Sequence, residues 1–135
     1  VDIGSGTSYN ALDREAEANR RWNRLHPEEP LRVSYVAKVL ESEEGVFVAV
    51  TDYMKALANS IGPWIPGNYT VLGTDGFGVS ESRADLRSYF EISPEHIALA
   101  GMQALAREGR LERQVVIEAL SEFDIDPEKT NPAFV

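Results

Sequence analysis

The order of apolar runs and helix signals in this chain predicts an α/β fold with a mainly parallel sheet. Two observations carry the prediction. Val46-Phe47-Val48-Ala49-Val50 and Tyr69-Thr70-Val71-Leu72 are short apolar or β-branched runs, each followed by a loop and a helix signal. Strand–helix–strand–helix order requires crossover connections, and such crossovers produce parallel neighbours. A third observation is a shared tag: Thr51-Asp52 closes the first run, and Gly73-Thr74-Asp75 closes the second. In a parallel pair both tags fall at the same edge, beyond the carboxyl ends of the strands, where open α/β sheets place their clefts.

The elements follow in order. Ser8 caps a polar helix over residues 9–25, with a narrow apolar stripe of Leu12, Ala16, Ala18, Trp22 and Leu25. His26-Pro27 ends it, because a residue before proline avoids helical torsions. Residues 33–40 place Val36, Val39 and Leu40 on one helical face. The run 46–50 is apolar throughout, as expected of a strand covered on both faces. Thr51-Asp52 then starts a helix carrying Met54, Leu57 and Ile61, which Gly62-Pro63 ends. After Pro66-Gly67 the second strand spans 69–72. A helix over 82–90 follows the glycine loop, with Ser82 and Asp85 at capping-box spacing. Ser93-Pro94-Glu95 starts an alanine-rich helix that Gly109 ends, and Val115, Val116, Ala119, Leu120 and Phe123 mark a last amphipathic helix.

Composition narrows the function. The 135 residues include no cysteine, which excludes thiol catalysis, disulfides and zinc–thiolate sites. A formal net charge of −9, from 22 acids against 13 bases, repels a polyanion, so nucleic acid is not an expected partner. No apolar stretch reaches the roughly 20 residues that span a bilayer. A cysteine-free chain of this kind suits the cytoplasm. Residues 1–6 contain Gly4-Ser5-Gly6 and read as a linker or cloning scar, which leaves 7–135 as the domain.

The glycine loop, Gly73-Thr74-Asp75-Gly76-Phe77-Gly78, invites a nucleotide reading and fails it. Its spacing is neither that of dinucleotide folds nor that of the P-loop, and no lysine follows. Asp75 also puts a negative charge where phosphate oxygens would sit. The glycines instead allow a tight fold-back with at least one positive φ. Asp75 then bonds locally to backbone N–H groups, and Phe77 faces an interface or a site entrance. The alternative for the two aspartates is structural, with Asp52 in a first helical turn and Asp75 capping a turn. His26 and His96 lack metal-pair spacing and read as structural residues. Asp124-x-Asp126-x-Glu128 lacks the glycine and terminal glutamate of a calcium loop.

Several stretches together resemble one family: Thr7-Ser8-Tyr9-Asn10-Ala11-Leu12, Trp22-Asn23-x-Leu25-His26-Pro27, Tyr35-Val36, Thr51-Asp52-Tyr53-Met54-Lys55, Leu72-Gly73-Thr74-Asp75-Gly76-Phe77-Gly78, Ser82-Arg83, Leu86-Arg87-x-x-Phe90-Glu91 and Asn131-Pro132. In this order they look like the C-terminal part of the homodimeric pyruvate dehydrogenases, the thiamine-dependent decarboxylating components of the pyruvate dehydrogenase complex. Val79 and Glu81 depart from the family pattern.

The resemblance implies a transketolase C-terminal-domain-like fold that lacks its first strand and helix. It implies a parent enzyme that decarboxylates pyruvate on thiamine diphosphate with magnesium and acetylates the lipoyl group of the acyltransferase. The partners would then be the remaining domains, a second subunit and the dihydrolipoyl acetyltransferase. Within this chain the resemblance assigns no catalytic, cofactor-binding or metal residue, and the fragment alone is expected to be inactive. Asp52, Tyr53, Asp75, Gly76 and Phe77 are expected at an interface or at the active-site entrance. Two other readings remain at this stage. One is an acidic, non-catalytic module docking a basic partner; the other is the C-terminal domain of another thiamine enzyme, such as transketolase or 2-oxoglutarate dehydrogenase.

Overall fold

A computed structural model describes residues 4, 8–74 and 83–132. Their order is α1 (Tyr9–Leu25), α2 (Tyr35–Leu40), β1 (Phe47–Val50), α3 (Lys55–Asn59), a single 3₁₀ turn (Gly62–Trp64), β2 (Tyr69–Leu72), α4 (Arg83–Tyr89), α5 (Pro94–Arg107) and α6 (Arg113–Glu122). The chain forms two compact units, one of residues 1–44 and 56–66, the other of 45–55 and 67–135.

The first unit is helical, and serine caps fix the starts of α1 and α2. Ser8 caps α1 by accepting the Ala11 N–H, and Ser34 caps α2 by accepting the Ala37 N–H. That cap starts α2 at Tyr35, two residues later than the apolar spacing suggests. Asn23 clamps the connecting loop, with its amide donating to the Arg32 carbonyl at 2.9 Å and its side-chain oxygen accepting the Arg32 N–H at 2.8 Å. The Arg32 guanidinium lies 3.7 Å from the centre of the Trp22 ring, a cation–π stack. Ala16, Val36, Ala58 and Ile61 form the small core of this unit, while Leu31 and Tyr35 stay mostly exposed.

The second unit is built on the predicted parallel pair. β1 and β2 run in register from Phe47↔Tyr69 to Val50↔Leu72. Gly67 allows the approach at the start of this ladder, because a Cβ there would lie 3.0 Å from the Gly45 carbonyl oxygen and 3.0 Å from the Phe47 ring. α5 packs on both strands and on α6. Ala104, Val116 and Ala119 are buried among the α5 and α6 residues. The strands are half-buried rather than sealed on both faces, and Val50 is exposed.

The helix expected to start at Thr51-Asp52 instead begins at Lys55. The chain at that point still belongs to the strand edge: the Thr51 N–H continues the ladder to Leu72, and the Tyr53 carbonyl, which a helix would use, accepts from Thr74. Ile61 lies beyond the helix, just before the 3₁₀ turn.

Three helices of the second unit end in the same way. A residue with positive φ follows the cap, and the next N–H reaches back five residues. After α5 that residue is Gly109 (φ 74°), with the Arg110 N–H on the Leu105 carbonyl at 2.9 Å. After α6 it is Asp124 (φ 54°), and after α4 it is Glu91 (φ 62°). Only the glycine announces itself in the sequence.

Candidate functional site

The carboxyl ends of β1 and β2 lie side by side, and two threonines fasten the loops that leave them. The Thr51 N–H donates to the Leu72 carbonyl at 2.9 Å, which prolongs the ladder by one step. The Thr51 hydroxyl oxygen then accepts the Tyr53 N–H at 3.1 Å, a short turn that lifts Asp52 outward. From the other loop, the Thr74 N–H donates to the Tyr53 carbonyl at 2.9 Å, and its hydroxyl donates to the Asp52 carbonyl at 2.9 Å. Six backbone groups and two hydroxyls thereby hold this edge together.

Gly73 makes this clasp possible. A Cβ at Gly73 would sit 2.8 Å from the Tyr53 carbonyl oxygen, 2.9 Å from Lys55 Cγ and 3.1 Å from Thr51 Cγ2. Gly73 is not among the positive-φ glycines, so its requirement is close approach rather than a left-handed conformation.

Asp52 and Tyr53 are thus held by their backbones while their side chains face solvent. Tyr53 is 57% exposed, and its neighbour Met54 is 49% exposed. Asp52 is not in a first helical turn, which removes the structural alternative suggested for it. Asp75, Gly76 and Phe77, the other predicted members of this edge, lie outside the described residues, as do Gly78 and Ser82. Behind the edge is a cavity of about 50 Å³, lined by Lys55, Leu72, Gly73, Phe90, Glu91, Asn131 and Pro132. It has room for water, not for an organic substrate.

The second unit also carries a more open cleft of about 540 Å³, whose lining includes Arg87, Ser93, His96, Phe123, Ile125 and Lys129. Ser93 Oγ lies 2.9 Å from His96 Nδ1 and accepts the His96 N–H at the start of α5. Burial pushes the His96 imidazole below its ordinary value; Lys129 adds to this, and Glu91 and Glu95 oppose it. The pair has the look of a nucleophile and its base, but the hydroxyl is buried and works as a helix cap. His26 is structural as well, with Nδ1 2.9 Å from the Trp22 carbonyl and its ring stacked on Trp22 at 4.3 Å. Among the described residues there is no group of three or more His, Cys, Asp or Glu side chains placed to hold a metal ion.

Sequence reasoning missed the two threonine hydroxyls, and it missed Lys129, whose ammonium donates to the Tyr89 carbonyl at the end of α4. The threonines stood in plain view within the repeated Thr-Asp tag, where attention fell on the acids. Nothing in the spacing connects Lys129 with the end of α4, because the partners are 40 residues apart.

Residues 1–93 match the family model described as the transketolase-like TK C-terminal domain. The chain is 48% identical over 133 residues to a protein of Pseudomonas aeruginosa named pyruvate dehydrogenase E1 component, covering 98% of this chain and 15% of that protein. Proteins of the same name from Cupriavidus necator and Escherichia coli are 45% and 42% identical over 134 and 132 residues, covering 99% and 97% of this chain. The chain spans about 15% of the length of these curated relatives.

Proposed function

The chain belongs to the transketolase-like C-terminal domain family, and from that membership we propose that it is the C-terminal domain of a pyruvate dehydrogenase decarboxylating component. One observation carries the reading: 48% identity sustained over 98% of the chain to a protein named for that activity. The relatives bear the pyruvate dehydrogenase name rather than that of transketolase or 2-oxoglutarate dehydrogenase, which favours this reading over those.

On this reading residues 7–135 are the domain, and the parent is a cytoplasmic homodimer. The parent decarboxylates pyruvate on thiamine diphosphate and passes the acetyl unit to the lipoyl group of dihydrolipoyl acetyltransferase. The chain's own described residues do not compose a site for that cofactor and its magnesium ion. At the strand edge the threonine hydroxyls are spent on the Tyr53 N–H and the Asp52 carbonyl, and no metal-holding cluster is present among the described residues. On this reading the rest of the parent holds the cofactor. This domain contributes subunit contact and one wall of the substrate approach. Asp52 and Tyr53, with Asp75, Gly76 and Phe77 on the adjoining loop, form the face turned toward that approach. The high exposure of Tyr53 and Met54 supports a surface that another part of the enzyme covers.

The test is a chimera in which this chain replaces the matching 15% of the Pseudomonas relative. Pyruvate-dependent acetylation of a lipoyl domain within about tenfold of the parent rate is expected. A folded, dimeric chimera without pyruvate turnover would contradict the reading. Activity on 2-oxoglutarate instead would assign the other thiamine enzyme.

A further inference from the structure

The carbonyl end of α4 carries a lysine cation in addition to the left-handed residue that also closes α5 and α6. Glu91 occupies the left-handed conformation that Gly109 holds after α5, with φ 62°, and the Ile92 N–H closes back on the Arg87 carbonyl at 2.8 Å. A glutamate is disfavoured there because its Cβ crowds the backbone. A cation brought from far along the chain accompanies it. Lys129 Nζ donates to the Tyr89 carbonyl at 2.5 Å and to the Ser88 carbonyl at 3.4 Å. It also lies 3.7 Å from Glu91 Oε1 and 5.2 Å above the Tyr89 ring. Orphan carbonyls and the negative end of a helix both attract an ammonium group.

The segment that delivers this lysine is itself shaped to do so. Asp124 turns the chain sharply at the end of α6, and Asp126 Oδ1 accepts the Glu128 N–H at 2.9 Å. The Lys129 N–H donates to the Asp126 carbonyl at 3.2 Å, which completes a turn with the lysine at its end. Three residues on, Pro132 is buried, and with Asn131 it walls the cavity floored by Lys55, Leu72 and Gly73.

We propose that residues 124–132 form a strap over the carboxyl edge of β2, latched by the Lys129 ammonium on the end of α4. Removal of that one charge unlatches it and opens the cavity behind the Gly73 clasp to solvent. The inference goes beyond the enzyme assignment and does not depend on it.

Hydrogen exchange of the full-length protein tests it, comparing wild type with K129Q and K129R. K129Q is expected to speed exchange about tenfold in residues 86–91 and 124–132, with α1 and residues 113–120 unchanged. K129R, which keeps the charge, is expected to stay within about twofold of wild type. Unchanged exchange in K129Q, a rise spread over the whole chain, or K129R behaving as K129Q would each overturn the latch. The unmodified protein gives a second measurement that needs no variant to fold. Raising salt from about 20 to 500 mM should speed exchange about threefold in the same two segments, because this partly exposed contact is screened. No local rise with salt would overturn it too.

Discussion

Ser8 secures the start of α1 through an N–H three residues away, whereas Thr74 secures the end of β2 through a carbonyl 22 residues back. The two units differ in degree. In the helical unit the caps and the His26–Trp22 stack reach three or four residues, Asn23 reaches nine to Arg32 and Glu15 reaches 20 to the Tyr35 N–H. In the sheet unit the decisive contacts are the Gly73 approach to Tyr53, the threonine clasp and Lys129 on Tyr89, which spans 40 residues. Local contacts lock one element each. Long-range contacts lock the juxtaposition of elements, and so they define the edge on which the candidate site sits.

The contrast predicts unequal costs. Gly73→Ala should be the most damaging single-methyl change, because the new Cβ would meet backbone oxygen at 2.8 Å, not a side chain that can swing away. A loss of about 2–3 kcal/mol in urea unfolding is expected. A loss below about 0.5 kcal/mol would break the comparison. At the helix ends the two left-handed positions should respond with opposite signs: Asp124→Gly should stabilise by about 1 kcal/mol, and Gly109→Ala should destabilise by about the same amount. Equal signs would show that φ is not the controlling factor. In the helical unit, Ser8→Ala removes one cap at an exposed helix end and should cost about 0.5–1 kcal/mol. Melting followed by circular dichroism is sufficient to see it.

The smallest expected effect concerns pH. Burial lowers the His96 pKa in the folded chain, so well above pH 6.5 both states hold a neutral imidazole and His96 contributes no pH dependence. As pH falls through 6.5 the unfolded chain takes the proton first, and stability is lost until the folded value is passed. The urea midpoint of wild type should therefore fall more than that of His96→Gln between pH 7.5 and 5.5. Parallel profiles would remove His96 from this role.

Reach also explains what the sequence could reveal. The bounds of α1 and β2, the Ser93 cap and the parallel order were readable because each rests on spacing within one segment or on chain order. The start of α3 was misread because Thr51 and Tyr53 give their backbone groups to the neighbouring strand and loop. That commitment exists only once β2 is in place. Gly73 was correctly singled out, but for torsional freedom, whereas the structure requires room. Asp52 was readable as lying beyond the carboxyl end of β1 from the Thr-Asp tag. Glu91 and Asp124 were not, because acidic residues in left-handed positions leave no local mark, and Lys129 was not, because its partner lies 40 residues away.

Under the proposed function, the clasped strand edge presents Tyr53 outward for the rest of the parent enzyme to cover. The chain has no cysteine, so Tyr53→Cys places a single thiol on that edge. Its alkylation rate, read by mass spectrometry in the isolated chain and in the whole enzyme, tests the claim directly. Alkylation at least about tenfold slower in the whole enzyme is predicted, as expected for a group taken out of solvent. Equal rates in the two forms would contradict the claim.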